Sequence, residues 1–218
     1  MLELNRAYCM DCMEGMKQFP DKYFDLAVVD PPYGIHLNSN MGRRKNNKPS
    51  SYKKVDWDNA PPSPDYFSEL FRVSKYQIVW GGNYFSMSPT KCFLVWRKPS
   101  ISEEVSFSMC EYAWTNLPFT SKEWIGTSNE ANRFHPTQKP VALYAWIFRN
   151  YAKAGDKILD THLGSGSSRI AAYDAGLDFI GFEIDKEYFD KQEERFATHS
   201  AQTSLFLSSE GVQNERLY

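Results

Sequence analysis

Asp25-Leu26-Ala27-Val28-Val29-Asp30-Pro31-Pro32-Tyr33 stands out in a chain of 218 residues: an apolar run with two β-branched valines stops abruptly at two prolines. Such a run reads as a short strand buried on both faces. Neither proline can donate to a sheet ladder, so the strand ends at Asp30. The prolines also remove two backbone donors and stiffen the turn. An acidic side chain, a row of carbonyl acceptors and an aromatic ring are thereby held at the carboxyl end of a strand, where open α/β sheets bind ligands. Acceptors without donors, beside a flat ring, suit a planar substrate bearing an NH2 group. By itself the tetrapeptide reads equally well as a strand followed by a proline-rich turn.

The rest of the chain narrows this choice. Its length suits one domain, residues 1–218, with a large core. Hydrophobic residues make up 42% and aromatics 16%, which excludes a disordered chain. The net charge is only −2, so affinity for a nucleic acid has to come from local patches. Met1 to Met10 has no apolar core of a signal peptide, and no apolar run approaches membrane-spanning length. Cytoplasmic residence is the default expectation. Cys9, Cys12, Cys92 and Cys110 form only one CxxC, too few ligands for a zinc site, so buried reduced thiols are expected and no metal.

Taken in order, Leu2 to Cys9 reads as a strand leading to Asp11, and 11–19 as a helix or turn. From Gly34 to Val55 no acid occurs, while Arg43, Arg44, Lys45, Lys48, Lys53 and Lys54 do. This basic loop leaves directly from the tetrapeptide, so a phosphate-binding role is expected of these six residues. Lys91, Arg97 and Lys98 are the next basic group to consider. Ser63-Pro64 opens a helix whose apolar face is Phe67, Leu70 and Phe71. Strands follow over 76–80 and 92–96, and the alternation over 105–114 and 119–125 suggests a hairpin. After His135-Pro136-Thr137-Gln138-Lys139-Pro140 an amphipathic helix covers 141–151, with Leu143, Trp146 and Ile147 inward. A last helix covers 187–196, and 199–218 reads as a loosely held polar tail.

A second site lies where the strand Lys157–Asp160 runs into Leu163-Gly164-Ser165-Gly166 and a helix, with Glu183 and Asp185 at the end of the next strand. This is the pattern of nucleotide-binding α/β units: glycines let the backbone approach a ligand, and the acid accepts from ribose hydroxyls. The third glycine of the dinucleotide fingerprint is missing, and Asp160 sits just before the turn. A carboxylate there repels a pyrophosphate and suits an ammonium or sulfonium cation, so an amino-acid nucleoside fits better than NAD.

Together the Asp30–Tyr33, His135–Pro140 and Asp160–Ser168 segments resemble the amino-methyltransferases of DNA, and their order resembles the beta class. The resemblance implies a Rossmann-like α/β fold, a seven-stranded mostly parallel sheet flanked by helices and circularly permuted. It implies S-adenosylmethionine as cofactor and the exocyclic N6 amine of adenine, flipped out of double-stranded DNA, as target. Asp30 and the carbonyl of Pro31, with Pro32, would receive that amine, and Tyr33 would stack on the base. Asp160, Leu163, Gly164, Ser165 and Gly166 would cradle the cofactor, with Glu183 and Asp185 at its ribose, Asp11 at its adenine, and Thr137 and Lys139 at its methionine end. DNA recognition would fall to 34–60 or 100–134. Dimerisation is common in that class, though no interface is readable. In one respect the chain departs from the family pattern: Asp160 is followed by Thr161-His162-Leu163 where Asp-Pro-Phe is usual. N4 of cytosine, an RNA or protein glutamine as substrate, and a non-catalytic nucleic-acid-binding module remain as alternatives.

Overall fold

The apolar run forms β2, Phe24–Val29, in the middle of an eight-stranded sheet. A computed structural model describes residues 1–35, 58–101, 108–128 and 132–214, with 204–214 as helix backbone only. The other strands are β1 (Arg6–Cys9), β3 (Ser74–Trp80), β4 (Phe93–Arg97), β5 (Cys110–Thr115), β6 (Lys122–Ile125), β7 (Lys157–Asp160) and β8 (Asp178–Glu183). Their order is β1-β8-β7-β2-β3-β5-β4-β6. β2 pairs in parallel with β3 on one side, Val29 opposite Val79, and with β7 on the other, Leu26 opposite Ile158. The chain's first and last strands, β1 and β8, are parallel neighbours.

A strand inside such a sheet must be apolar on both faces, and the side chains divide accordingly. Leu26 and Val28 enter one core with Ile78, Trp80, Leu143 and Ile147; Ala27 and Val29 enter the other with Val79, Leu70, Val73 and Phe182. Each fully buried aliphatic side chain contributes about 1.5–3 kcal/mol, enough to hold the register of the strand and hence the position of Asp30. Helix α3 (Val141–Tyr151) covers the first face and packs on α4 (Ser167–Asp174); α1 (Cys12–Met16) and α2 (Pro64–Val73) cover the second.

The α/β class and the mostly parallel sheet are as expected, with four differences. The sheet has eight strands because β6 adds an edge beyond β4. β5 and β6 are not a hairpin: β5 inserts antiparallel between β3 and β4, and β6 pairs parallel with β4. The insertion places Ala113 and Trp114 in the two cores, which a hairpin at the edge could not do. Second, the buried face of α2 is Tyr66, Leu70 and Val73; Phe67 and Phe71 flank it, one position round the helix. Third, no loose tail begins at His199, because α5 runs over Lys186–Asn214. Fourth, all four cysteines are free but only Cys92 is buried; Cys9 and Cys110 are exposed. Among the described residues no helix is long and apolar enough to cross a membrane, and no group of His, Cys, Asp or Glu is placed to hold a metal.

Candidate active site

The carboxyl ends of β2, β7 and β8 open into one cleft. Its walls include Asp30 and Pro32 from the end of β2, Thr137 and Lys139 before α3, Leu163 to Ser165 after β7, and Glu183 at the end of β8. The two sites read from the sequence, about 130 residues apart, are therefore one.

The turn after β2 is built by what the prolines lack. The first two amides with a hydrogen, those of Tyr33 and Gly34, both donate to Asp58 Oδ1, at 2.9 and 3.0 Å. Asp58 is buried. Gly34 has φ +72°, where a side chain is strained, and a Cβ there would also strike Pro61. The Tyr33 ring stacks on Tyr84, centroids 4.8 Å apart, and its hydroxyl donates to Asp30 Oδ1 at 2.6 Å. Burial, reinforced by the Asp30 carboxylate, pushes the Tyr33 phenol well above its ordinary range, so it stays a donor.

Asp30 has a second partner. Lys139 Nζ lies 2.5 Å from Asp30 Oδ2 and 3.1 Å from Glu111 Oε2, and Glu111 in turn pairs with Lys98. The result is an alternating row, Lys98, Glu111, Lys139, Asp30, with Lys139 only 4% exposed and 5.4 Å from the centroid of the Trp80 ring. Burial alone would raise the Glu111 carboxyl, but Lys139 and Lys98 outweigh it and hold it down at about 2. Burial would likewise lower Lys139; Asp30 and Glu111 reverse this and raise it. Glu111 and Lys139 thus favour each other's charged forms.

On the other wall, Gly164 (φ +53°) and Gly166 (φ +75°) take left-handed conformations, and Gly166 starts α4. Glu183 Oε2 accepts from Gly164 N at 2.7 Å and Oε1 from Asp185 N at 2.9 Å, so this carboxylate holds the glycine turn against β8. Burial raises its pKa, opposed by those backbone donors. Asp160 is buried behind the wall, not on the cleft: it accepts from Ser168 Oγ at 2.5 Å and His162 N at 3.0 Å. Asp11 caps α1 through Met13 N at 2.7 Å and is exposed. His135 lies under Gly164, and burial, with help from Arg133 and Lys139, pushes it down to about 3, so it is neutral.

Burial pushes Asp160 up to about 7, with Ser168 and His162 opposing. The folded protein therefore keeps this proton to about pH 7, while the unfolded chain loses it near 3.8. Between those values the folded state binds more protons, so this group's contribution to stability falls as pH rises. Relative to Asp160→Asn, the wild type is expected to lose stability steadily from pH 4 to 7 in denaturant titrations. A constant difference over that window would overturn the assignment.

Two contributors carried no sequence signal of their own: Asp58 and Glu111. Glu111 is an isolated acid in a strand, and Lys98, a candidate for the DNA face, is buried against Glu111 and Trp96 instead. Arg43, Arg44, Lys45, Lys48, Lys53 and Lys54 all lie outside the described residues.

Known proteins place this cleft in a family. Over 206 residues, 86% of this chain and 88% of the relative, the sequence is 26% identical to an Escherichia coli (strain K12) protein named as a methylase, YubD. It is 29% identical to the type II methyltransferase M2.DpnII of Streptococcus pneumoniae over 62% of this chain and 46% of that one. The family model for N6 and N4 methyltransferases, described as DNA methylase, matches residues 95–194, which include Lys139 and the Gly164–Glu183 wall. Over those residues the chain is similar to this DNA methylase family. The fold is also that of solved structures: M1.HpyAVI in complex with SAM (TM-score 0.57, 20% identity, 87% of this chain and 98% of that one) and the cytosine-N4-specific PvuII DNA methyltransferase (TM-score 0.58, 16% identity, 87% and 85%).

Proposed function

We propose that this protein transfers a methyl group from S-adenosylmethionine to the exocyclic N6 amine of an adenine flipped out of double-stranded DNA. The observation that carries the reading is that Asp30, at the end of β2, shares one cleft with the glycine turn and Glu183. The cleft fits the cofactor: left-handed glycines lower the wall, and a buried carboxylate whose oxygens each keep a lone pair is available to ribose hydroxyls. Gly164, Ser165, Gly166, Leu163 and Glu183 hold the nucleoside; Thr137 lies on the side toward Asp30. When bound, the cofactor supplies an activated methyl on a sulfonium.

An exocyclic amine is a poor nucleophile because its lone pair is delocalised into the ring. Asp30 and the Pro31 carbonyl accept its two N–H bonds, localise that pair and stabilise the positive charge that develops on attack. Pro32 keeps competing donors away. Lys139 balances the charge of Asp30 and fixes its second oxygen. Orientation supplies much of the rest, since the methyl donor needs no further activation. A base inside a duplex is unreachable, so it must be flipped out and held by stacking, the role we assign to Tyr33 beside Tyr84. Asp11 faces the cofactor's adenine end. Arg43, Arg44, Lys45, Lys48, Lys53 and Lys54 contact phosphates.

Incubating the protein with labelled S-adenosylmethionine and DNA, then digesting to nucleosides and identifying the labelled base by mass spectrometry, tests this directly. N6-methyladenine is expected. N4-methylcytosine is the second reading, favoured by the likeness to the cytosine-N4-specific fold, and label in neither base overturns both. Replacing Glu183 by Ala is expected to weaken S-adenosylmethionine by about 1.5–3 kcal/mol, the range for hydrogen bonds to a charged group. An unchanged dissociation constant in calorimetric titration would place the ribose elsewhere.

A further inference from the structure

His162 stands on the cleft wall with one ring nitrogen committed and the other free. Its Nδ1 lies 2.9 Å from Thr161 Oγ1, and Thr161 Oγ1 lies 2.6 Å from the hydroxyl of Tyr66. Tyr66 and Thr161 are both buried, and neither hydroxyl has another partner among the described residues. Two arrangements of the protons are conceivable. If His162 Nδ1 carried the hydrogen, Thr161 Oγ1 would accept it, and one hydroxyl proton, that of Tyr66 or that of Thr161, would be left buried without an acceptor, a cost of about 1–3 kcal/mol. If Tyr66 donates to Thr161 and Thr161 donates to Nδ1, every proton is used. The second arrangement leaves the hydrogen of the neutral ring on Nε2.

We propose that Tyr66 and Thr161 lock His162 as the Nε2–H tautomer, and that this N–H is a hydrogen-bond donor to a ring nitrogen of the cofactor's adenine. Nε2 has no partner among the described residues, and His162 lines the cleft. Burial pushes the imidazole down to about 4, so at neutral pH it presents a single neutral donor and not a cation. The carboxylate whose charge opposes that shift is Asp11, the residue proposed at the cofactor's adenine. The exposed, apolar Ile184 also lines the cleft, next to Glu183, and offers a surface for a flat ring. A donor near an acceptor matches an adenine edge, where an amine stands beside a ring nitrogen. Tyr66 and Thr161 are positioning residues in this scheme.

This role rests on S-adenosylmethionine being the cofactor, and the test separates the two. Nitrogen-15 NMR of the wild type reads the tautomer with no ligand; Nε2–H is expected, and Nδ1–H overturns the lock. Affinities for S-adenosylhomocysteine and its 1-, 3- and 7-deaza forms are then measured on wild type, His162→Phe and Tyr66→Phe. His162→Phe is expected to lose about 3- to 10-fold on the parent, the range of one hydrogen bond. One deaza form is expected to bind the wild type weaker by the same factor, with no further loss in the variant. Tyr66→Phe is expected to admit the other tautomer and to lose part of that factor. Equal losses of His162→Phe on all four ligands, or none, overturn the contact. Failure of the wild type to bind any of them overturns the cofactor reading instead.

Discussion

Asp30→Ala is expected to abolish methyl transfer to DNA, a fall of at least about 10²- to 10³-fold, while S-adenosylmethionine still binds. The size follows from removing a preorganised group aimed at charge that develops only in the transition state. The geometry around Asp30 supports an effect of this size. Its two oxygens are already oriented, one by the Tyr33 hydroxyl and one by Lys139, so no reorganisation is left for the moment of attack. Alanine also leaves Lys139 with Glu111 as its remaining carboxylate partner. Asp30→Asn separates these effects, because it keeps the shape and one acceptor but no charge. Single-turnover transfer with both variants, alongside calorimetric cofactor binding, decides the matter. Near-normal turnover in either variant would remove Asp30 from the reaction.

Lys139→Met has the largest expected effect on stability. It leaves two carboxylates, Asp30 and Glu111, facing a site that has lost its cation. Removing one partner from a buried ion pair costs about 3–5 kcal/mol, because a charge is left uncompensated. For a domain of this size that lowers the melting temperature by on the order of 10 °C. Activity is expected to fall with it, since Asp30 loses the group that orients its second oxygen. Glu111→Gln is the informative companion: Lys139 keeps Asp30, so the loss of stability is expected to be smaller. Denaturant titrations of the three proteins test the order. A Lys139→Met protein as stable as the wild type would show that the row of charges is held by water and not by its own members.

The sequence alone determined a good deal. Continuous apolarity over Leu26–Val29, with prolines directly after Asp30, dictated a strand buried on both faces and its end, because such a run has only one low-energy place in a sheet. The glycine turn and Glu183 were legible for a similar reason: left-handed conformations at Gly164 and Gly166 demand that residue type, and only local chain is involved. Helix α3 was legible to its ends, and Leu143 and Ile147 are buried as expected, but Trp146 is only partly buried and Tyr144 and Phe148 complete the buried face.

What the tertiary structure decided is long-range. Strand pairing is set by which faces find each other, so β5 and β6, close in sequence, part company to flank β4. The same holds for α2, whose apolar residues cover more than one face, and only its docking on β3 selected Tyr66, Leu70 and Val73. Charge is the clearest case. A lysine or glutamate reads as solvated in sequence because burial of a lone charge is costly. Lys98 and Lys139 are buried and Glu111 half-buried only because three separate segments bring them and Asp30 together, so that each cancels its neighbour. Asp58 reached Tyr33 and Gly34 in the same way, by filling a need for acceptors that the turn itself created.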